Sequence, residues 1–270
     1  MTFNVRGSHR RDGENAWKNR AALNVATIRR YGPDLIGFQE LQDGNLKAYE
    51  AELPEYERSL GPEYENRHPH AHNAIFWDRS RLELVSAGGF WLSETPERFS
   101  KSWGTAQTRS LNWALLRLLP GGEGFLHLNT HLDHRSGPAR REGAELIVRW
   151  LERTGVEVPV VLTGDFNCEP GSDTYKVFAR AGFADAHLLV GNEPANTFHS
   201  FKGEGYRPRP GREGRIDWIL LRDGTRHRWS ARSCEVVRDA QPPVFPSDHY
   251  PVLASLSLED GRRPGAHVSV

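Results

Sequence analysis

Cysteine is nearly missing: Cys168 and Cys234 are the only two in 270 residues. Two are too few for a disulfide scaffold, so the fold has to rest on its own apolar core. An excess of one charge is missing as well. Lys and Arg number 35, Asp and Glu number 35, and the formal net charge is zero. A balanced chain argues against a long electrostatic surface for nucleic acid, although a local basic patch stays open. There is no run of 18 apolar residues, which removes the expectation of a membrane-spanning helix. No basic segment followed by an apolar one opens the chain, so no secretory signal is visible and the cytoplasm is the default location. The chain starts almost directly on the strand-like TFNV, so a leader removed from a longer form stays open. Repeats and low-complexity blocks are absent, and nothing points to an obligate protein partner.

What is present reads as one large domain over residues 1–258, followed by a non-periodic tail, 259–270, expected to fray. A second surface excursion is expected at 202–214 (KGEGYRPRPGREG), rich in Gly, Pro and Arg. Helical spacing marks three segments. Residues 14–31 stop at Gly32-Pro33, 138–153 place Ala144, Ile147, Val148 and Leu151 on one stripe, and 172–181 open with Ser172-Asp173 and close at Gly182. Strand-like apolar runs fall at 2–5, 34–38, 74–77, 111–119, 125–130, 158–162, 216–221 and 252–258. So many strands with so few helices exceed a simple parallel sheet and predict an α/β fold of two packed sheets flanked by helices.

The informative feature is where polar residues interrupt the apolar runs. Asn4 follows Thr2-Phe3, and Gln39-Glu40 follows Leu35-Ile36-Gly37-Phe38. His131 follows Leu128-Asn129-Thr130. Asp165 and Asn167 follow Val160-Val161-Leu162-Thr163-Gly164, and Asp248-His249 precedes Tyr250-Pro251-Val252-Leu253. Singly, each has a bland reading as a turn residue or strand start. Asp217 is harder to dismiss, because Ile216 and Trp218-Ile219-Leu220 flank it and a buried carboxylate needs a partner or a metal. As a set these are carboxylates, amides and imidazoles without a thiolate, a hard-donor chemistry that suits Mg²⁺ or Mn²⁺. Asp165 and Asn167 share one face of an extended chain, whereas adjacent Asp248 and His249 point to opposite sides.

The segments TFNVRG, DLIGFQE, NTHLDH, LTGDFN, RIDWIL and SDHYPV follow one another across residues 2–253. In this order they resemble the endonuclease/exonuclease/phosphatase superfamily, the group of pancreatic deoxyribonuclease, abasic-site endonucleases, inositol-polyphosphate 5-phosphatases, neutral sphingomyelinases and deadenylases. The middle of the chain, from AIFW to FWLSETPERFSKSWGTAQTRSLNWALL, is similar to short bacterial members. The resemblance implies a four-layer α/β sandwich, two mixed β-sheets inside and helices outside. It also implies a Mg²⁺- or Mn²⁺-dependent phosphoester hydrolase, a phosphodiesterase or a phosphatase. By similarity, Glu40 is the main metal ligand with Asn4 and Asp248 nearby. Asp165 orients or deprotonates the attacking water, and Asn167 holds that water or the phosphoryl oxygens. His249 donates to the phosphate with help from Asp217, and His131 makes another phosphate contact. Arg109 and Asn73 are candidates for substrate binding.

Relatives that cut duplex DNA carry basic loops or helices. Here the one basic concentration read from the sequence is Lys202, Arg207, Arg209, Arg212 and Arg215, either a solvated loop or a phosphate grip leading into Asp217. The expected substrate is therefore a small or single-stranded phosphoester, with a diester slightly favoured because more relatives act on diesters. A nuclease acting on DNA or RNA is the alternative. A zinc hydrolase built on His127, His131 and His134 has weak grounds, since His127 alternates along a strand and no HExxH-like helix exists. A non-catalytic binding protein is disfavoured because every catalytic-type position is filled. Trp91 and Trp103 read as core or loop anchors rather than stacking platforms.

Overall fold

The computed structural model describes residues 1–65, 70–208 and 214–261. Among these, twelve strands form two six-stranded sheets. The first sheet is built from β1 (Thr2–Asn4), β2 (Leu35–Gln39), β3 (Tyr56–Ser59), β4 (Ile75–Asp78), β11 (His227–Val236) and β12 (Val252–Asp260). Its order is β11-β12-β1-β2-β4-β3. The second holds β5 (Leu82–Trp91), β6 (Ser110–Leu118), β7 (Gly124–His131), β8 (Val160–Asp165), β9 (Ala184–Asp185) and β10 (Asp217–Arg222), in the order β5-β6-β7-β8-β10-β9. Each sheet has one parallel pair at its centre, β1 with β2 and β7 with β8, and is antiparallel elsewhere. Both central pairs are joined by a long helix, α1 (Trp17–Tyr31) or α3 (Gly137–Thr154), as a parallel crossover requires.

Alternation along the inner strands separates the layers. On β2, Ile36 and Phe38 join Val25, Ile28 and Tyr49 of α1 and α2 (Asp43–Glu52) in one core. On β8, Val160 and Leu162 join Ala144, Ile147 and Leu151 of α3 and Phe178 of α4 (Asp173–Arg180) in another. The opposite faces meet each other through Ile75, Trp77, Leu116, Val161, Ile219 and Val252. This is the expected four-layer sandwich. The expected helices form with shifted ends: α1 begins at Trp17, after a short turn at Gly13–Asn15, and Ser172 caps α4 by accepting from Tyr175 N. The strand before the tail runs on to Asp260, and residues 262–270 lie outside the described residues, as do 209–213 of the Arg-rich excursion.

Toward one end the sheet interface turns polar. Gly37 is needed there: a Cβ would collide with Thr163 Oγ1 and lie 2.7 Å from Asn129 Oδ1. In the space it leaves, Gln39 Nε2 donates to Asn129 Oδ1 at 2.7 Å, and Asn129 Nδ2 donates to Phe38 O and Ala74 O across the sheets. His127 belongs to this layer, its Nε2 2.8 Å from Thr163 Oγ1 and its Nδ1 without a partner. Burial pushes its imidazole down to about 3. The unfolded chain takes up that proton near pH 6.5 and the folded one does not. Stability is therefore complete above about pH 6.5 and falls toward pH 3, by up to about 1.4 kcal/mol per pH unit from this residue. Urea midpoints between pH 7 and 5 should fall more steeply for the wild type than for His127→Gln. Equal slopes would mean that His127 is not held neutral.

Candidate active site

The polar strand ends converge because of the topology. Asn4, Glu40, His131 and Asp165 stand at the carboxyl ends of β1, β2, β7 and β8, the two parallel pairs. Asp217 opens β10, which runs antiparallel to β8 and pairs Asp217 with Asp165. Asp248-His249 precedes β12, antiparallel to β1. Carboxyl ends of parallel strands leave backbone unpaired and side chains directed outward, the usual place for a site in α/β sheets. Three non-glycine residues here have left-handed backbone, Arg6 (φ 51°), Glu40 (φ 58°) and Asn167 (φ 51°). Such strain concentrates at functional positions.

Asp165 is the hub. Its Oδ2 accepts from Asn4 Nδ2 at 3.0 Å and lies 3.2 Å from His131 Nε2 and 3.8 Å from His249 Nε2, while Oδ1 accepts from Asn167 N at 3.0 Å. Burial raises its pKa, the Asp217 carboxylate adds to the rise, and His249 opposes it. His249 Nδ1 sits 2.9 Å from Asp217 Oδ2. Burial alone would discharge this imidazole, but Asp217 and Asp165 outweigh it and hold the cation well above the ordinary histidine range. Asn167 Nδ2 donates to Leu132 O and faces His131 Nε2 at 2.9 Å. Burial and nearby Arg109 lower the pKa of His131 and favour the neutral imidazole.

Glu40 stands at the rim, its side chain 15% exposed. Its Oε1 accepts from Asn4 Nδ2 at 3.4 Å, and Arg10 lies 3.7 Å from its Oε2. Burial pushes its carboxyl up, yet Arg10 and Arg6 prevail and keep it ionised. Asp248 pairs with Arg6 at 3.4 Å. Asn4 Oδ1 accepts from Arg6 N, and Ser247 Oγ donates to Asn4 O at 2.7 Å, tying the two loops together. Arg109, half-buried, points its NH2 at His134 Nδ1 (3.2 Å); its Nε lies 3.8 Å from Asp133 Oδ2, too far for a hydrogen bond. Asp165 and Glu40 are among the carboxylates that favour its charge. Asn73 does not join this network by a direct bond: its Nδ2 donates to Ser110 O and Oγ, next to Arg109 in sequence.

Several contributors escaped the sequence reading. Arg6 and Arg10 lie in the run RGSHRR between Asn4 and α1, a basic cluster that was legible but overlooked. Asp133 accepts from Ser136 N, Arg135 N, Thr105 Oγ1 and Ala106 N, which anchors the loop before Arg109. Arg215, counted with the Arg-rich excursion, is instead a buried ion-pair partner of Asp185 at 2.7 Å, 3% exposed. Arg207 donates to Glu204 O and Tyr206 O. His127 and His134 are engaged elsewhere, so the histidines do not gather into a zinc site. The one described cluster of His and carboxylate groups close enough to share an ion is Asp165, Asp217 and His249, with ligand atoms within 4.8 Å.

Two mixed sheets packed face to face, their strand ends converging on a set of carboxylates, amides and imidazoles, define a four-layer class of α/β fold. The chain matches the Endonuclease/Exonuclease/phosphatase family over residues 1–249 and belongs to it. It is similar to Nocturnin of Rattus norvegicus, 26% identical over 257 residues, covering 87% of this chain and 56% of that protein. The chain thus spans about half the length of the curated relatives it matches. Among solved structures, an endonuclease/exonuclease/phosphatase from Bacteroides vulgatus superposes with a TM-score of 0.84 at 29% identity, covering 96% of this chain and 97% of the other. A mannosyl-6-phosphatase from Bacteroides thetaiotaomicron gives 0.85 at 27% identity, covering 95% and 98%.

Proposed function

We propose that the protein is a Mg²⁺- or Mn²⁺-dependent phosphoester hydrolase that acts on a small phosphorylated molecule. One observation carries this reading: Asp165, a buried carboxylate with a raised proton affinity, faces a charged His249 oriented by Asp217. Asp165 accepts the proton of the attacking water, and Asn167 holds that water or a phosphoryl oxygen. His249 donates to the phosphoryl group, where negative charge grows in the transition state. His131 steadies Asn167 and borders the same phosphoryl position. Arg109 binds a phosphoryl oxygen, and Asn73 supports it through Ser110.

The donor chemistry fits a hard divalent cation at Glu40, Asn4 and Asp248. Each offers oxygen, and Glu40 stays ionised at the open rim. The Asp165, Asp217 and His249 cluster fits less well, because His249 Nδ1 is already engaged by Asp217 Oδ2 at 2.9 Å. An ion bound by Glu40 supplies positive charge to the phosphoryl oxygens. Arg6, Arg10, Arg109 and His249 all favour negative charge around Glu40, a collar that suits a doubly charged monoester. With the mannosyl-6-phosphatase neighbour, this shifts the preference from diester to monoester. Duplex DNA is disfavoured, since its affinity needs several cations spread along the backbone. The test is competition at matched phosphate concentration and physiological salt, with hexose phosphates, a small diester and plasmid DNA. Phosphate release from a hexose phosphate is expected. Rapid plasmid nicking with the small esters untouched would make the protein a nuclease.

A further inference from the structure

Asp217 and His249 are 32 residues apart, and one tetrapeptide, Thr197–Ser200, grips both. The Thr197 hydroxyl accepts from Ile216 N at 3.0 Å and Asp217 N at 3.1 Å, and donates to Gly214 O at 3.3 Å. All its capacity is used, and Thr197 is fully buried. On the other side, Thr197 O accepts from Tyr250 N at 2.7 Å, and His199 N and Ser200 N both donate to Asp248 O. The two residues flanking His249 are therefore held by the same segment that holds Asp217. Phe198 bridges His249 in the backbone and packs its ring against the imidazole, centroids 4.9 Å apart at 61°. Ser200 and Phe201 are successive non-glycine residues in left-handed backbone (φ 50° and 57°), a costly conformation that persists only where its surroundings enforce it.

We infer that Thr197 is a positioning residue for the Asp217–His249 pair, and that the 197–200 segment is the clamp that sets the imidazole's aim. The inference rests on the catalytic reading of His249 given above. Thr197→Val keeps the shape but leaves the buried N–H of Asp217 and the half-buried N–H of Ile216, at the start of β10, without their acceptor. Asp217 then moves relative to His249, and small displacements of reacting groups are expensive: a shift near 1 Å costs about a hundredfold.

Thr197→Val should lose about tenfold or more in kcat, while KM and the divalent-ion concentration for half-activity stay within about twofold. Thr197→Ser, which keeps the hydroxyl, should restore kcat. Independently of turnover, the low-field NMR signal of the proton between His249 Nδ1 and Asp217, assigned by its loss in Asp217→Asn, should shift in Thr197→Val and return in Thr197→Ser. A folded Thr197→Val protein with unchanged kcat and an unchanged signal overturns the inference. If Thr197→Val fails to fold, Phe198→Leu decides: it must shift the same signal and lower kcat, and wild-type values for both overturn the clamp. Should His249→Ala keep full turnover, the catalytic reading falls, and the NMR signal alone then tells whether Thr197 positions the pair.

Discussion

Asp165→Asn should give a folded protein whose turnover is down by a factor of about a hundred or more, the range expected for loss of a general base. The amide keeps the volume and can still accept at Oδ1 from Asn167 N, the bond seen at 3.0 Å. It cannot take a proton from water. His249→Ala should lose at least as much, because it deletes both the donor to the phosphoryl group and the charge that Asp217 and Asp165 sustain. The double variant should be little worse than either single one, since residues that act as a unit are non-additive. Steady-state kinetics on the best small phosphoester, with circular dichroism to confirm folding, decide the matter. Near-normal turnover in a folded single variant would remove that residue from the chemistry.

Chelation should have the second large effect. Excess EDTA is expected to abolish hydrolysis, and Mg²⁺ or Mn²⁺ should restore it where Zn²⁺ does not. Glu40→Gln should raise the ion concentration for half-activity by about tenfold or more, in line with the loss of a charged ligand. Calorimetric titration of the ion gives the same comparison without substrate. In the structure, Arg10 and Arg6 neutralise Glu40 and Asp248, so the ion has to compete with guanidinium groups. Full activity in excess EDTA, or the same ion requirement in Glu40→Gln, would place the cation elsewhere, with Asp165, Asp217 and His249 as the next candidates.

The runs read as strands from the sequence are the inner ones: β1, β2, β4, β6, β7, β8, β10 and β12. The four that escaped, β3, β5, β9 and β11, are the edges of the two sheets. The reason is physical. Most inner strands are largely buried and read as apolar runs, and half-exposed β12 still reads as an alternating one, whereas an edge need not. β11 (HRWSARSCEV) is mostly half-exposed, and β5 (LELVSAGGFW) is open to solvent along most of its first half and has two glycines. Gly88 and Gly89 serve packing, because a Cβ at either would press on Trp113 or Pro62. Helix α2 escaped because it buries little beyond Asn45 and Tyr49. The site was legible where polar residues broke inner strands. It was not legible where function depends on long-range pairing: Arg215 looks like part of a basic loop until Asp185 is placed beside it, and Thr197 has no local signature at all.

One bond at the hub joins Asn4 to Asp165 across 161 residues of chain, and β1 meets β12 from the far end of the described sequence. Contacts of such separation form late, because loop-closure entropy must be met before they return any stability. The α3-covered core and the β7–β8 pair are more local, whereas Asn4, Glu40 and His249 come into register only through β1 with β2 and β12. The proposed site is therefore complete only in the closed molecule, where the two ends of the chain meet.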